Sequence, residues 1–168
     1  MAKTIEEVIA EAEIRDVHLR YCRANDRRDA ELMRGCFHPD AVIELHKDLG
    51  VEEFIAMGAH ILGQYIVTWH NTGSQLVEVD GDAAWAEHYT VSSHRMAADE
   101  DGPERDWIAH GRYIDRMEKR DGIWRIARRK MLVDYTRMDP VGEGVPSGGI
   151  GGPTRDHNDP SYAMRLRS

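Results

Sequence analysis

The chain has 168 residues, 41% of them hydrophobic, enough for one domain with its own core and too few for two. Its 30 acidic against 22 basic side chains leave a formal charge of -8 at pH 7, which repels a phosphate backbone and argues against nucleic acid as a partner. The two cysteines, Cys22 and Cys36, have no CxxC spacing, so a disulfide framework or a zinc site is not expected.

The opening MAKTIEEVIAEAEIRD is acidic throughout and has no uninterrupted apolar run. Neither a signal peptide nor a membrane span is expected from it, and a cytoplasmic protein with no membrane partner is. Ile5, Val8, Ile9 and Ala12, followed by Ile14, Val17 and Tyr21, recur at three- and four-residue spacing and predict an amphipathic helix over 4–25. Thr4 and Glu7 form a capping box at its start. A second short helix is predicted over 29–36, ended by Pro39, with a strand beginning at DAVIEL, and a third helix over 50–65.

Past Tyr65 the texture changes. Asp80-Gly81, Asp101-Gly102 and Asp121-Gly122 fall between segments rich in Val, Trp, Tyr, Ile and Thr, and Asp-Gly favours tight hairpin turns because it tolerates positive φ. Four strands in a meander follow, over 66–79, 82–98, 104–119 and 122–136, with Gly73 and Gly111 placed to bend them. The predicted fold class is α+β: three N-terminal helices packed in a strongly curved antiparallel sheet, a cone-shaped α+β barrel over residues 1–139. Residues 140–168 form a Gly/Pro-rich tail, either mobile or laid over the domain or a partner subunit. The hollow of the cone is the expected small-molecule site.

His70 lies mid-strand in VTWHNTGS, flanked by Asn71, Thr72 and Ser74 rather than by Val and Ile. It is either a satisfied core histidine or a base facing the hollow. On the next strand Ala84, Ala86, His88, Thr90, Ser92 and His94 share one face, and Trp85, Glu87, Tyr89 and Val91 the other. Alternation does not say which face looks inward, so His88 and Tyr89 are alternative substrate contacts. Arg129 shares a face with Met131, Val133 and Tyr135 and is placed to extend into the cavity, and Tyr21 would point its phenol from the first helix into the same space. His88 and His94 lack the spacing of a helical zinc pair, so no metal is expected. No Gly-rich phosphate loop, GxSxG elbow or GxGxxG is present.

RYCRANDRRDAELMRGCFHPDAVIEL, WHNTGSQLVEVDGDAAWAEHYTV and HGRYIDRMEKRDGIWRIARRKM, in that order and spacing over residues 5–136, resemble the SnoaL-like branch of the nuclear-transport-factor-like superfamily. The resemblance implies a cone, often dimeric, that hosts cofactor-free dehydratases, dehydrochlorinases, isomerases and cyclases as well as members without catalysis. In members with elimination chemistry, of the scytalone dehydratase, bile-acid dehydratase and lindane dehydrochlorinase types, an Asp ending the first helix orients a His on the first long strand. Asp26 and His70 stand at those places. Tyr21 matches a tyrosine of the bile-acid enzyme, His110 answers to a second histidine on a later strand of scytalone dehydratase, and Arg129 to an arginine of the dehydrochlorinase that would hold a developing oxyanion.

The chemistry of the pair stands without the family. An imidazole is mostly neutral at pH 7 and accepts a proton from an activated C–H, while a carboxylate on its other nitrogen fixes the tautomer and stabilises the imidazolium. The expected function is a cofactor-independent lyase or dehydratase acting on a mid-sized, apolar, oxygenated substrate of aromatic, steroid or polyketide type. Isomerisation or retro-aldol cleavage in the same pocket, and a non-catalytic binding or assembly subunit, are the alternatives. A homodimer or higher homo-oligomer is expected.

Overall fold

The computed structural model describes residues 2–100, 102–142, 144 and 149–164. Helix α1 (Ile5–Arg27) opens with the reciprocal Thr4/Glu7 capping box and ends at Arg28, which takes the left-handed conformation with φ 50°. Its buried face begins later than the periodicity suggests. Ile5, Val8 and Ile9 are solvent-facing, and burial runs through Ala10, Ile14, Val17, His18, Tyr21, Cys22 and Asn25.

Helix α2 (Ala30–Gly35), capped by the Asp29 carboxylate, leads into β1 (Phe37–Glu44) and β2 (Asp48–Gly50), and α3 (Val51–Leu62) follows. Pro39 does not precede the strand; it lies inside β1, where the register with the neighbouring strand shifts between Phe37 and Val42 and no ladder donor is required of it. Four long strands come next: β3 (Val67–Asp80), β4 (Ala83–Met96), β5 (Arg105–Arg120) and β6 (Ile123–Pro140). They form one six-stranded sheet in the order β2-β1-β6-β5-β4-β3. The meander is antiparallel as expected, but β1 joins β6 in parallel, because α2 returns the chain to the outer edge of β6.

Asp121 and Gly122 both have positive φ between paired Arg120 and Ile123, the primed turn that Asp-Gly favours. In the first hairpin Asp80 pairs with Ala83, so the two loop residues are Gly81 and Asp82. The third pair meets a longer connection with an Asp99–Gly102 bridge, and Asp101 lies outside the described residues. Gly73 sits in a bulge between Thr72 and Gln75. Gly111 faces a second bulge, where a Cβ would stand 2.1 Å from the Leu132 carbonyl oxygen.

The core fills the concave side of the sheet with Ile14, Val17, Tyr21, Phe37, Ile43, Phe54, Met117 and Ile126, together with both free cysteines. Among the described residues no helix is long and apolar enough to cross a membrane. The described part of the tail lies back on its own domain. Arg27 donates to Thr154 O at 2.8 Å, Tyr162 donates to Asp29 at 3.0 Å, and the short α4 (Pro160–Ala163) sets Tyr162 under the Arg23 guanidinium.

Candidate active site

The last turn of α1 carries Asp26 across the sheet to β3, whose inward positions are Thr68, His70 and Thr72 and, beyond the bulge, Gln75 and Val77. Nδ1–H of His70 donates to Oδ1 of Asp26 at 2.7 Å, and the backbone N–H of the same histidine donates to Oδ2 at 3.1 Å. Both carboxylate oxygens are thus committed to one residue, which fixes ring position and tautomer together. Among the described residues Nε2 of His70 has no hydrogen-bond partner, and the ring keeps 8% of its side-chain surface. That nitrogen is the free basic position of the pair.

One aromatic ring meets the imidazole directly, with two more behind it. His94 meets His70 edge-on at 5.2 Å and contacts both Tyr65 and Trp107. Burial, then the neighbouring His70 and Arg155, push the pKa of His94 down to about 4, so it is a neutral wall rather than a second charge. Sequence reading considered His94 only as a metal ligand. Its pairing opposite Thr68, one register step from His70, is the signal that would have placed it.

The other candidates lie elsewhere. The inward face of β4 is the one carrying Ala84, Ala86, His88, Thr90 and His94. Tyr89 is therefore on the convex surface, 55% exposed, and does not line the hollow. His110 is also on the convex side, stacked on Tyr135 at 4.4 Å, because β5 turns Ala109, Gly111, Tyr113 and Asp115 inward.

His88, Arg129 and Tyr21 do point inward, but into a closed network rather than an open cone. Arg129, fully buried, donates through Nε and Nη2 to Asp115 at 2.7 and 2.6 Å. Its guanidinium lies 4.2 Å over the Tyr21 ring and 4.5 Å over Tyr113. His18 and His88 stack at 4.0 Å and hold Nε2 at 2.9 and 3.5 Å from Oδ2 of Asp115, while Gln75 and Thr72 donate to their Nδ1 atoms. Burial alone would raise the Asp115 carboxyl, but Arg129 overrides it and holds the group well below the usual carboxylate range; burial lowers both histidines. Two of the three Arg129 nitrogens are thus committed to Asp115, while Nη1 is buried with no hydrogen-bond partner among the described residues, and Tyr21 is a core side chain beneath the guanidinium.

Sequence reading missed His18 and Asp115. Each was visible as a polar residue on an apolar face, His18 beside Val17 and Tyr21, Asp115 between Tyr113 and Met117. His18, His88 and Asp115 bring three donor atoms within 4.8 Å. A divalent ion there would have to share Asp115 with a buried guanidinium, so the donor set does not fit a metal.

The open space lies to the side of the cone. An open cavity of about 470 Å3 lies between the end of α1, α2, α3 and the tail, lined by the apolar Met33, Phe54, Ile55 and Leu62 and by the charged Arg27, Arg28, Asp29 and Arg155. His70 and Asp26 do not line it, although Asn25 and Arg27 on either side of Asp26 do. The expected hollow floored by the dyad is therefore displaced: the buried network fills the cone, and the tail creates a new chamber beyond the helix end.

The chain matches the SnoaL-like domain over residues 6–130. No curated protein matches it in sequence. Among solved structures, it is 30% identical to Rv3472(D26N), a protein of unknown function from Mycobacterium tuberculosis, covering 80% of this chain and 77% of that one with a TM-score of 0.65. It shares its fold with the hexachlorocyclohexane dehydrochlorinase LinA-type3 of Novosphingobium barchaimii LL02 (16% identity, 84% and 98% of the two chains, TM-score 0.73). The fold also recurs in a protein titled putative scytalone dehydratase from Novosphingobium aromaticivorans DSM 12444 (19% identity, 83% and 97% of the two chains, TM-score 0.69). With that match spanning most of its length, and a cone of helices in a curved sheet, the chain belongs to the SnoaL-like domain family.

Proposed function

We propose that this protein is a cofactor-independent lyase of the dehydratase type. One observation carries the reading: Asp26 holds His70 at 2.7 Å through Nδ1, leaving Nε2 as an oriented, unpaired base. Nε2 takes the proton from a carbon made acidic by a neighbouring carbonyl or aryl ring. The electron pair left behind forms the double bond as the C–O bond on the adjacent carbon breaks. The imidazolium, stabilised by Asp26, then gives its proton to the departing hydroxyl, so that water leaves and the histidine returns to its neutral state. His94, backed by Tyr65 and Trp107, gives the base an aromatic neighbour, in keeping with an aromatic or polycyclic substrate. The elimination enzymes that share this fold support the class of reaction, not the substrate.

The filled cone favours one second reading, a non-catalytic binding subunit, since Arg129 pairs with Asp115 inside it and His18 and His88 are stacked against the same carboxylate. A panel of β-hydroxy ketones followed by ultraviolet absorbance separates the two, because elimination extends conjugation. Turnover is expected, with His70→Ala and Asp26→Asn each lowering kcat by about two to four orders of magnitude. Full turnover by His70→Ala rules out the dyad. The reading also includes a second copy of the chain as partner, supported by the exposed aromatic rings Trp69, Tyr89 and Tyr135 on the convex face.

A further inference from the structure

The geometry points to a second function for the chamber beneath the tail: a binding site for an amphipathic carboxylic acid, its apolar body between α1, α2 and α3 and its carboxylate on Arg28 and Arg155. The volume of about 470 Å3 falls within the range of small-molecule sites, about 300–1,000 Å3. Its lining joins apolar side chains from three helices to the guanidiniums of Arg28 and Arg155, the two kinds of surface an amphipathic ligand requires.

These two guanidiniums meet over the C-terminus of α3. Arg155 donates to the carbonyls of Leu62 and Tyr65 through its two Nη atoms, and its Nε is buried with no hydrogen-bond partner. Arg28 reaches the same spot, its Nη2 3.3 Å from where a Cβ on Gly63 would stand, and among the described residues it has no ion pair. The other charges of the lining already have partners. Arg27 faces Asp159 at 3.6 Å; Asp29 accepts from Leu32, Tyr162 and His157; Asp156 accepts from Thr154 and Asn158. Burial first, and then the positive charge of Arg28, lower the pKa of Arg155, with Asp26 acting the other way. A bound carboxylate would relieve that repulsion and supply an acceptor to the Arg28 fork and to the remaining Nη hydrogens of Arg155. A dianion would fit less well, because Asp26, Asp29 and Asp156 stand close by.

Arg28 holds this place in a left-handed conformation, φ 50°, at a helix end where glycine is the ordinary choice. The site needs a side chain there. The proposal does not depend on the chemistry of the dyad.

Isothermal titration with 2-naphthoate and decanoate, each against its neutral amide, tests it on the full chain. Each acid is expected to bind at least tenfold more tightly than its amide, and Arg28→Gly and Arg155→Gln are each expected to abolish that preference. Arg28→Gly should do so without lowering Tm, which separates loss of the site from loss of the fold. His70→Ala should retain the preference, so failure of the dyad and failure of this site are read separately. Equal affinity for acid and amide, no binding of either acid, a preference that survives Arg28→Gly, or tighter binding of 2-naphthyl phosphate than of 2-naphthoate would each overturn it.

Discussion

Asp115 accepts from Arg129 twice and has Nε2 of His18 and His88 at 2.9 and 3.5 Å, in a place with no solvent contact. Removing its charge strands a guanidinium between two tyrosine rings. Asp115→Asn is therefore expected to cost on the order of 3–5 kcal/mol in urea unfolding, and the pair Asp115→Leu with Arg129→Met to recover most of it, since apolar replacement of a whole buried pair is often neutral. At Arg28 the expectation has the opposite sign. Arg28→Gly removes a left-handed non-glycine residue and should gain about 1 kcal/mol by the same measurement. Of the candidate site, Asp26 and His70 were legible because a helix end and a mid-strand histidine need only be brought side by side. Arg129 was legible as inward but not as paired, since its partner lies on another strand. Tyr89 stood as an alternative to His88 because period-2 alternation has two solutions and nothing in β4 alone chooses between them, while His110, carried over from the resemblance, falls on the convex face.

Strand register shows what the sequence could and could not hold. Counting back from the Asp121-Gly122 turn, with Arg120 opposite Ile123, an unbroken ladder would set Arg129 against Ile114; a bulge before Arg128 moves it to Asp115 and so creates the buried ion pair. The turns and the order of elements were readable from Asp-Gly pairs and apolar periodicity. The parallel joining of β1 to β6 was not, because it depends on where α2 delivers the chain. Nor was the outward turn of Ile5, Val8 and Ile9, which begin a helix before it reaches the sheet. Gly111 is the element-scale test of the second bulge. With a Cβ 2.1 Å from the Leu132 carbonyl oxygen, Gly111→Ala must push β5 from β6, and a loss of about 2–3 kcal/mol in chemical unfolding is expected. Gly35→Ala, where a Cβ meets nothing within 4 Å, is its control.

At the scale of the molecule, buried histidines make stability depend on pH. His88 and His94 have pKa values lowered by burial to about 4, against 6.5 in an unfolded chain, so between those limits the unfolded state binds more protons. Their contribution is complete above pH 6.5 and is lost as pH falls toward 4, on the order of a few kcal/mol for each. Asp115, held well below 3.8, acts only in more acidic solution, so a fall in the urea midpoint between pH 7 and pH 4.5 reports the histidines. The convex face supplies the last expectation. Trp69, Tyr89 and Tyr135 are each more than half exposed, and His110 stacks on Tyr135 among them, on the side of the sheet that no helix covers. Exposed aromatic rings set around the Arg112–Glu87 and Arg112–Asp134 ion pairs are arranged for self-association. Sedimentation equilibrium is expected to give a dimer or larger assembly. Tyr89→Glu with Tyr135→Glu places two charges at that face and touches neither Asp26, His70 nor the buried network, so it should yield a folded monomer. An unchanged mass for that variant would move the interface elsewhere, with the exposed Ile5, Val8 and Ile9 stripe of α1 the next surface to alter.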